Sequence, residues 1–478
     1  MLFNSIQFAV FLPIVFLLYW FVFSKKLKLQ NFFVVVASYV FYGWWDWRFL
    51  FLIAFTSFCS WGSGLLIDKY KHEPKKARTV SVLNIVLNLL ILGVFKYYDF
   101  FVTSFADLFL GGKTDGLLLK IILPVGISFY TFQALSYSID VYRGKLEPTK
   151  DIVQFFAFVS FFPQLVAGPI ERATNLLPQF ATPRKFDYEI AIDGVRQIIW
   201  GLFKKIVVAD NCAIIVDQVF SNYQVESGST LLLGAIFFTF QIYGDFSGYS
   251  DIAIGTAKLF GIRLMRNFNV PYFSRDIAEF WRRWHISLTT WFRDYVYIPL
   301  GGSRVSKLKI VRNKFVSFLL SGFWHGANWT VVVWGAFHAF LFLPLILLGK
   351  NRKYTDVIAS RRVLPSLKEI GQMLVTFLMV VIGWIIFRAD DMTQAWGYLC
   401  GLCDTSLFTM PFIYVGTKRN LLFVFVMLMV EWFSRKKEHA LQYGDKFPSW
   451  LAIIISLSLI LVMLEFATNS QSFIYFQF

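Results

Sequence analysis

The chain has 478 residues, of which 57% are hydrophobic and 16% charged, and its formal net charge is +16. A water-soluble domain usually carries about 25% charged residues, so this composition excludes a single aqueous core of this length. The apolar runs are continuous rather than alternating, which favours membrane-spanning helices over a β-barrel. We therefore predict an all-α polytopic membrane protein with about 10–12 transmembrane or re-entrant helices, built as one integral membrane domain over residues 1–478.

Long uncharged stretches give the predicted helices in chain order. Residues 5–23 lack a preceding basic residue and a following small-residue cleavage pattern, so we expect an uncleaved first span. Residues 31–45 and 49–67 are predicted to form a helical hairpin whose aromatic tip, YGWWDWR, suits the headgroup layer. Further spans are predicted at residues 79–95, 121–139, 152–170, 370–387 and 449–464, with a short one at 421–430. We divide the chain into N-terminal helices (1–110), a core (117–348) and C-terminal helices (349–478).

Basic residues cluster in short loops between the apolar runs. The positive-inside rule explains this pattern and the net charge without invoking nucleic acid. The loops expected to be cytoplasmic are residues 25–28, 69–78, 142–145, 304–314, 350–368 and 434–439, and residues 111–116 are expected outside.

The four cysteines include a C-x-x-C pair, Cys400 and Cys403. A redox or metal role for such a pair requires a thioredoxin-like context or a second pair of ligands, and the sequence shows neither. We expect ordinary thiols, no metal site and no bound cofactor.

Ionisable residues inside a membrane are costly and are functional candidates for that reason. Asp245 and Asp251 lie in QIYGDFSGYSDIAIG, within an otherwise uncharged stretch at residues 230–257. They form either a polar site, such as a proton path, or structural ion pairs with arginines of the next segment.

A second candidate region, FWRRWHISLTTWFRDYVYIPLGG, mixes aromatic residues with Arg282, Arg283 and His285. This pattern is typical of an interfacial or re-entrant helix that ends at the Pro-Leu-Gly-Gly turn.

The third region, residues 315–348, is uncharged and holds His325 and His338. At 34 residues it is too long for one simple crossing, so we predict a break near residues 322–326 that leaves His325 at the bend. On one continuous helix His338 would lie about 20 Å from His325, which argues against a dyad of these two. A lone membrane histidine is otherwise a packing or hydrogen-bonding residue.

The sequence resembles the membrane-bound O-acyltransferases, and in particular the bacterial branch that acetylates alginate. Two motifs carry the resemblance, FWRRWHISLTTWFRDYVYIPLGGSR and SGFWHGANWTVVVWGAFH. Further motifs of the same branch occur in the expected order along nearly the whole chain. These are MLFNSIQFAVFLPIVF, LPVGISFYTFQALSYSIDVYRG, FFPQLVAGPIERA, QIYGDFSGYSDIAIG and the terminal FIYFQF.

The resemblance implies a ring of helices around a central tunnel, with His325 as the active histidine and His285 as a second polar position. His338 matches a further position without an assigned role. A neutral imidazole at 325 is suited to take a proton from an acceptor hydroxyl while low water protects an acyl thioester. Asn328 and Trp324 are candidate oxyanion donors by proximity in sequence.

The resemblance further implies acetyl-CoA as a cytoplasmic co-substrate and a bacterial cytoplasmic membrane location. The loop GGSRVSKLKIVRNK is either a site for its phosphates or plain cytoplasmic loop charge. The acceptor is expected to be an extracytoplasmic glycan, or a separate SGNH-type acetyltransferase that carries the acetyl group onward. D-alanyl transfer to teichoic acid, a non-catalytic transporter and a structural scaffold remain as alternatives.

Overall fold

The structure is a computed structural model that describes residues 1–114, 116–166, 168–444, 447–466, 471 and 473–474. Of the terminal FIYFQF motif, only Phe473 and Ile474 lie within the described residues. The described residues form helices and no strand, which confirms the predicted all-α class. They divide into two compact units, one of residues 1–195 with 253–265 and one of residues 196–252 with 266–478.

The described residues of the first half of the chain form ten α-helices. They are α1 Ile6–Leu17, α2 Leu27–Gly43, α3 Phe49–Lys69, α4 Pro74–Leu92, α5 Tyr98–Phe109, α6 Ile127–Tyr142, α7 Ile152–Ser160, α8 Phe162–Leu165, α9 Ala173–Ala181 and α10 Tyr188–Leu202. Short π-helical segments, Leu18–Val22 and Gly93–Tyr97, extend α1 and α4.

In the second half, the part of the chain that the structure describes forms ten more α-helices. They are α11 Asp210–Ser221, α12 Gly228–Leu259, α13 Ile277–Arg283, α14 Ile286–Phe292, α15 Lys307–His325, α16 Trp329–Leu347, α17 Leu367–Arg388, α18 Met392–Gly401, α19 Thr417–Ser434 and α20 Ser449–Phe466. Two π-helical segments, Phe203–Ala209 and Arg293–Tyr297, connect α10 to α11 and follow α14.

Within the described residues, six helices are long and apolar enough to cross a membrane. The chain is therefore a multi-pass membrane protein, as predicted. The six are Phe49–Lys69, Pro74–Phe109, Gly228–Leu259, Trp329–Leu347, Leu367–Arg388 and Ser449–Phe466, and Ile6–Val22 is a shorter apolar helix.

The predicted helical hairpin is present as α2 and α3, with residues 44–48 as its turn. The predicted single span at 152–170 is wrong, because helix α7 ends at Ser160. Phe161 leaves the helical region with ψ of 108°, and Pro163, at the start of the next short helix, has no N–H to donate to the carbonyl group four residues earlier and would clash with it in a continuous helix. The predicted span at 121–139 is helical only from Ile127, after Gly126 adopts a left-handed conformation with φ of 75°.

A buried carboxyl group ties two loops together in the first unit. Glu171 accepts hydrogen bonds from the Met265 backbone N–H and the Asn175 side-chain amide. Burial raises the pKa of Glu171 to about 7, although these hydrogen bonds act in the opposite direction.

Candidate active site

The helical hairpin of α15 and α16 positions His325. A Cβ atom on Gly322 would overlap the Val331 carbonyl group, and one on Gly335 would overlap the Phe318 carbonyl group, so the glycines allow the two backbones to touch. Helix α15 ends at His325, which confirms the predicted break in the long apolar stretch. The His325 side chain lies buried where the backbone turns.

Asn328 stabilises this turn. Its Oδ1 accepts from the Thr330 N–H at 3.0 Å as the N-cap of α16, and its Nδ2 donates to the Asp390 carbonyl oxygen at 2.8 Å. Both ends of the amide therefore have protein partners, and the observed role of Asn328 is capping.

His285 comes from the junction of α13 and α14. Its φ of 43° places a non-glycine residue in the left-handed region, a conformation that costs about 1–3 kcal/mol and persists only where surrounding contacts enforce it. The enforcing contacts come from Asn267, whose carbonyl oxygen accepts from the Ile286 N–H at 2.8 Å.

The same asparagine orients the His285 ring. Asn267 Nδ2 donates to Ser250 Oγ at 3.0 Å, and Asn267 Oδ1 accepts from Ser287 Oγ at 2.9 Å. His285 Nδ1 lies 3.1 Å from that Oδ1, so Nδ1 carries the proton and Nε2 is the acceptor nitrogen of the ring. This second histidine is held as a specific neutral tautomer.

His285 and His325 lie next to each other in the second unit. Their ring centroids are 6.2 Å apart, and both rings are packed within a cluster of aromatic side chains. The cluster includes Trp324, Phe246, Phe268, Trp334 and Phe387. Two buried imidazoles in apolar surroundings are suited to move a proton where water is scarce.

His338 does not form a dyad with His325. The Trp334 ring lies between them, 5.2 Å from the His325 centroid and 5.0 Å from that of His338. His338 Nδ1 instead accepts from the Trp281 indole N–H at 3.3 Å. Both side chains are buried.

The two aspartates of α12 belong to a buried ion cluster. Lys205 Nζ lies 2.7 Å from both Asp245 and Asp210, and Lys204 Nζ lies 2.6 Å from Asp251. The ion-pair alternative predicted arginines of the following segment as partners, whereas the observed partners are lysines of the preceding segment. The π-helical segment 203–209 turns two consecutive lysines towards α12.

Close backbone contact explains why these lysines reach α12. A Cβ on Gly248 would lie 2.7 Å from the Gly201 carbonyl oxygen, and one on Gly244 would lie 3.0 Å from the Lys204 carbonyl oxygen. Asp245 also accepts from the Ile474 N–H at 2.6 Å, so the cluster anchors the described end of the chain.

The two consecutive arginines of α13 have different surroundings. Arg283 is buried and donates to Glu279 Oε1 at 2.8 Å and to the Asp356 carbonyl oxygen at 2.9 Å, which is a structural arrangement. Arg282 is exposed, donates to the backbone carbonyl groups of Asn351 and Tyr354, and lines a cavity.

That cavity has a volume of about 430 Å³ and four basic side chains in its lining. Burial, together with the nearby charges of Arg282 and Arg352, lowers the pKa of Lys314 to about 8. Arg293 also lines the cavity and pairs with Asp294 at 2.6 Å. Ser303 and Lys314 belong to the basic segment GGSRVSKLKIVRNK, the phosphate-site candidate of the sequence, so this segment reaches the cavity, although it is helical from Lys307 rather than a loop.

Sequence reasoning missed Asn267, Trp281 and the two lysines. Lys204 and Lys205 had a signal, because they are consecutive charges in the apolar run IIWGLFKKIVVA. Asn267 had none, since its role depends on a contact with residues 18–20 positions further along the chain.

Cys400 and Cys403 are exposed and carry free thiols. Across the described ranges, no group of three or more His, Cys, Asp or Glu side chains is arranged to hold a metal ion.

Comparison with known proteins identifies the family. The model of MBOAT, the membrane-bound O-acyltransferase family, matches residues 41–370. A probable alginate O-acetylase of Pseudomonas aeruginosa is 43% identical over 83% of this chain and 74% of its own length. A peptidoglycan O-acetyltransferase of Helicobacter pylori is 36% identical over 84% of this chain and 80% of its own.

A more distant relative is a teichoic acid D-alanyltransferase of Bacillus subtilis, 29% identical over 55% of this chain and 68% of its own length. The matched family segment contains His285, His325 and His338. The chain belongs to the membrane-bound O-acyltransferase family and is an acyltransferase of the multi-pass membrane type.

Proposed function

We propose that this enzyme transfers an acetyl group from acetyl-CoA to a hydroxyl group of an extracytoplasmic polysaccharide, or to a partner acetyltransferase that completes the transfer. His325 acts as the general base. The observation that carries the proposal is the buried His285–His325 pair, with ring centroids 6.2 Å apart, in a chain of this family.

The chemistry requires one proton acceptor close to the acceptor hydroxyl. The hydroxyl oxygen attacks the thioester carbonyl carbon while its proton passes to the neutral His325 ring. The carbon–sulfur bond then breaks, and the departing thiolate takes the proton from the imidazolium. Water is the competing nucleophile, and the aromatic rings packed around His325 support its exclusion.

His285 complements this role through its tautomer. With its proton on Nδ1, the acceptor nitrogen of its ring is Nε2, and in this proposal Nε2 accepts a hydrogen bond from the acceptor hydroxyl and orients it. The developing oxyanion requires a donor, and the buried Trp324 indole, whose ring is 5.1 Å from that of His325, is our candidate. Asn328 is a weaker candidate because its amide caps α16.

The basic cavity supports a long, phosphate-bearing thioester as donor. Arg282, Lys314 and Arg352 offer cations for phosphate oxygens. Lys314 and His325 lie on the same helix, eleven residues apart, so the helix rise separates them by about 16 Å. A donor with phosphates at one end and the thioester at the other matches this separation, and the positive-inside pattern places the basic loop in the cytoplasm.

The relatives favour a glycan acceptor over teichoic acid. The alginate and peptidoglycan O-acetylating relatives align with 83–84% of the chain, whereas the D-alanyltransferase aligns with 55%. We therefore place the enzyme in the bacterial cytoplasmic membrane and expect a separate extracytoplasmic partner.

The test supplies membranes containing the enzyme with labelled acetyl-CoA or, in parallel, a D-alanylated carrier. Alginate, peptidoglycan fragments and teichoic acid serve as acceptors, with and without an SGNH-type acetyltransferase. Label on a glycan from acetyl-CoA, lost in His325→Ala and retained in His72→Ala, supports the proposal. His72 is an exposed histidine and serves as the matched control. Transfer of D-alanine alone would overturn it.

A further inference from the structure

The Trp281 side chain lies at the boundary between the basic cavity and the aromatic cluster around His325. It lines the cavity together with Phe318 and Ser321. Its ring also lies 5.6 Å from that of Trp334, which is 5.2 Å from the His325 ring. Ser321 is one turn before His325 on α15, so the two residues share a face of that helix. Trp281 and, behind it, Trp334 therefore lie between the cavity and the His325 ring.

His338 fixes the orientation of Trp281. Its Nδ1 accepts the indole N–H at 3.3 Å, and the two rings pack edge to face with centroids 5.0 Å apart. Behind His338, a Cβ on Gly383 would lie 2.8 Å from Nε2, so α17 closely backs the ring. His338 is thus held on one side by a backbone and on the other by the indole that it positions.

We propose that Trp281 is a movable partition between the cavity and His325, and that His338 is the positioning residue that latches it. In this inference, the thioester-bearing arm of the donor displaces the indole on its way from the cavity to His325. That identity of the ligand rests on the proposed function. A single hydrogen bond between neutral groups shifts the equilibrium between a closed and an open Trp281 side chain by about three- to tenfold. That is enough to favour the closed position and little enough for a bound ligand to open it. With the cavity empty, the closed partition limits entry of water from the cavity side.

The first test needs no catalysis. His325→Cys is made in a protein whose four native cysteines, Cys59, Cys212, Cys400 and Cys403, are replaced by serine or alanine. Sealed vesicles expose the basic loop at residues 303–314 to a small, membrane-impermeant alkylating reagent, and the rate of alkylation at position 325 is measured.

Three added variants separate the latch from packing. Trp281→Phe keeps a ring but loses the N–H, and His338→Leu loses the acceptor. His338→Asn keeps an acceptor atom one bond from Cγ, as Nδ1 is. We expect alkylation to rise about three- to tenfold in the first two and to stay at the parent rate in the third. Equal rates in all proteins would overturn the proposal, and so would a rise in His338→Asn equal to that in His338→Leu.

The second test uses enzyme with His325 intact. Acceptor-independent hydrolysis of acetyl-CoA, relative to transfer, should rise by the same factor in Trp281→Phe and His338→Leu, and not in His338→Asn. If the wild-type enzyme does not use acetyl-CoA, the proposed function fails while the alkylation rates still decide the partition. An unchanged ratio in an enzyme that transfers acetyl groups would count against the latch.

Discussion

Replacing Lys205 by methionine removes the cation that two buried carboxylates share. Lys205 Nζ lies 2.7 Å from Asp210 and 2.7 Å from Asp245, and all three side chains are at most 3% exposed. Removing one partner of a buried ion pair typically costs about 3–5 kcal/mol, because an uncompensated charge remains in an apolar environment. We expect Lys205→Met to lower the free energy of unfolding by that amount.

Two further variants calibrate this effect. Asp245→Asn leaves the Lys205–Asp210 pair and an amide oxygen that still accepts hydrogen bonds, so its expected cost is about 1–2 kcal/mol. Arg48→Met removes an ion pair of similar length, 2.6 Å, between Arg48 and Asp46, but the Arg48 side chain is 60% exposed, so its loss should cost far less than the loss of Lys205. Neutralising all three buried groups together should recover most of the loss.

The assay is the free energy of unfolding in mixed detergent micelles, titrated with a denaturing detergent and read by the accessibility of buried groups. The expected order of destabilisation is Lys205→Met, then Asp245→Asn, then Arg48→Met. A Lys205→Met protein as stable as Arg48→Met would refute the reasoning, since the cluster would then be neutral in the fold or open to water.

Three other predictions follow from particular contacts. The affinity for the donor should fall as pH rises through about 8, because Lys314 loses its proton there. Below pH 8, Lys314→Met should bind CoA about tenfold more weakly than wild type, and its affinity should lose most of this pH dependence. Calorimetry with CoA measures both effects. Because the pKa of Glu171 is higher in the folded than in the unfolded protein, protonated Glu171 stabilises the fold fully below about pH 4.5, and this stabilisation is lost as pH rises through about 7. Glu171→Gln should therefore be more thermally stable than wild type at pH 8 and equally stable at pH 4. Gly322→Ala places a Cβ against the Val331 carbonyl group and forces α15 and α16 apart, so it should lower the free energy of unfolding by about 1–3 kcal/mol. Gly371→Ala, on α17, has no heavy atom near its Cβ position and should not lower the free energy of unfolding in the same titration.

The sequence predicted those parts of the fold that depend on local hydrophobicity and turn chemistry. The hairpin of α2 and α3 and the break that ends α15 at His325 follow from apolar runs interrupted by polar or glycine residues. The span at 152–170 failed because apolarity alone does not reveal that Pro163 ends a helix inside an apolar run.

Contacts between distant residues lay beyond sequence reasoning. The left-handed conformation of His285 and its tautomer depend on Asn267, which no local pattern marks. The lysine partners of the α12 aspartates depend on a π-helical turn, which sets the facing of Lys204 and Lys205 and has no reliable sequence signal. The family motifs nonetheless pointed to two histidines that the structure brings together.

The most direct test of the account is single-turnover acetyl transfer by His325→Ala, with donor binding measured separately on the same preparation. The account predicts a fall of about 10²- to 10⁴-fold in transfer, with CoA affinity within twofold of wild type, because the histidine acts on the reacting proton and not on the phosphates. His72→Ala should transfer at the wild-type rate. Transfer by His325→Ala within a few-fold of wild type, at unchanged donor affinity, would contradict the assignment of His325 as the base.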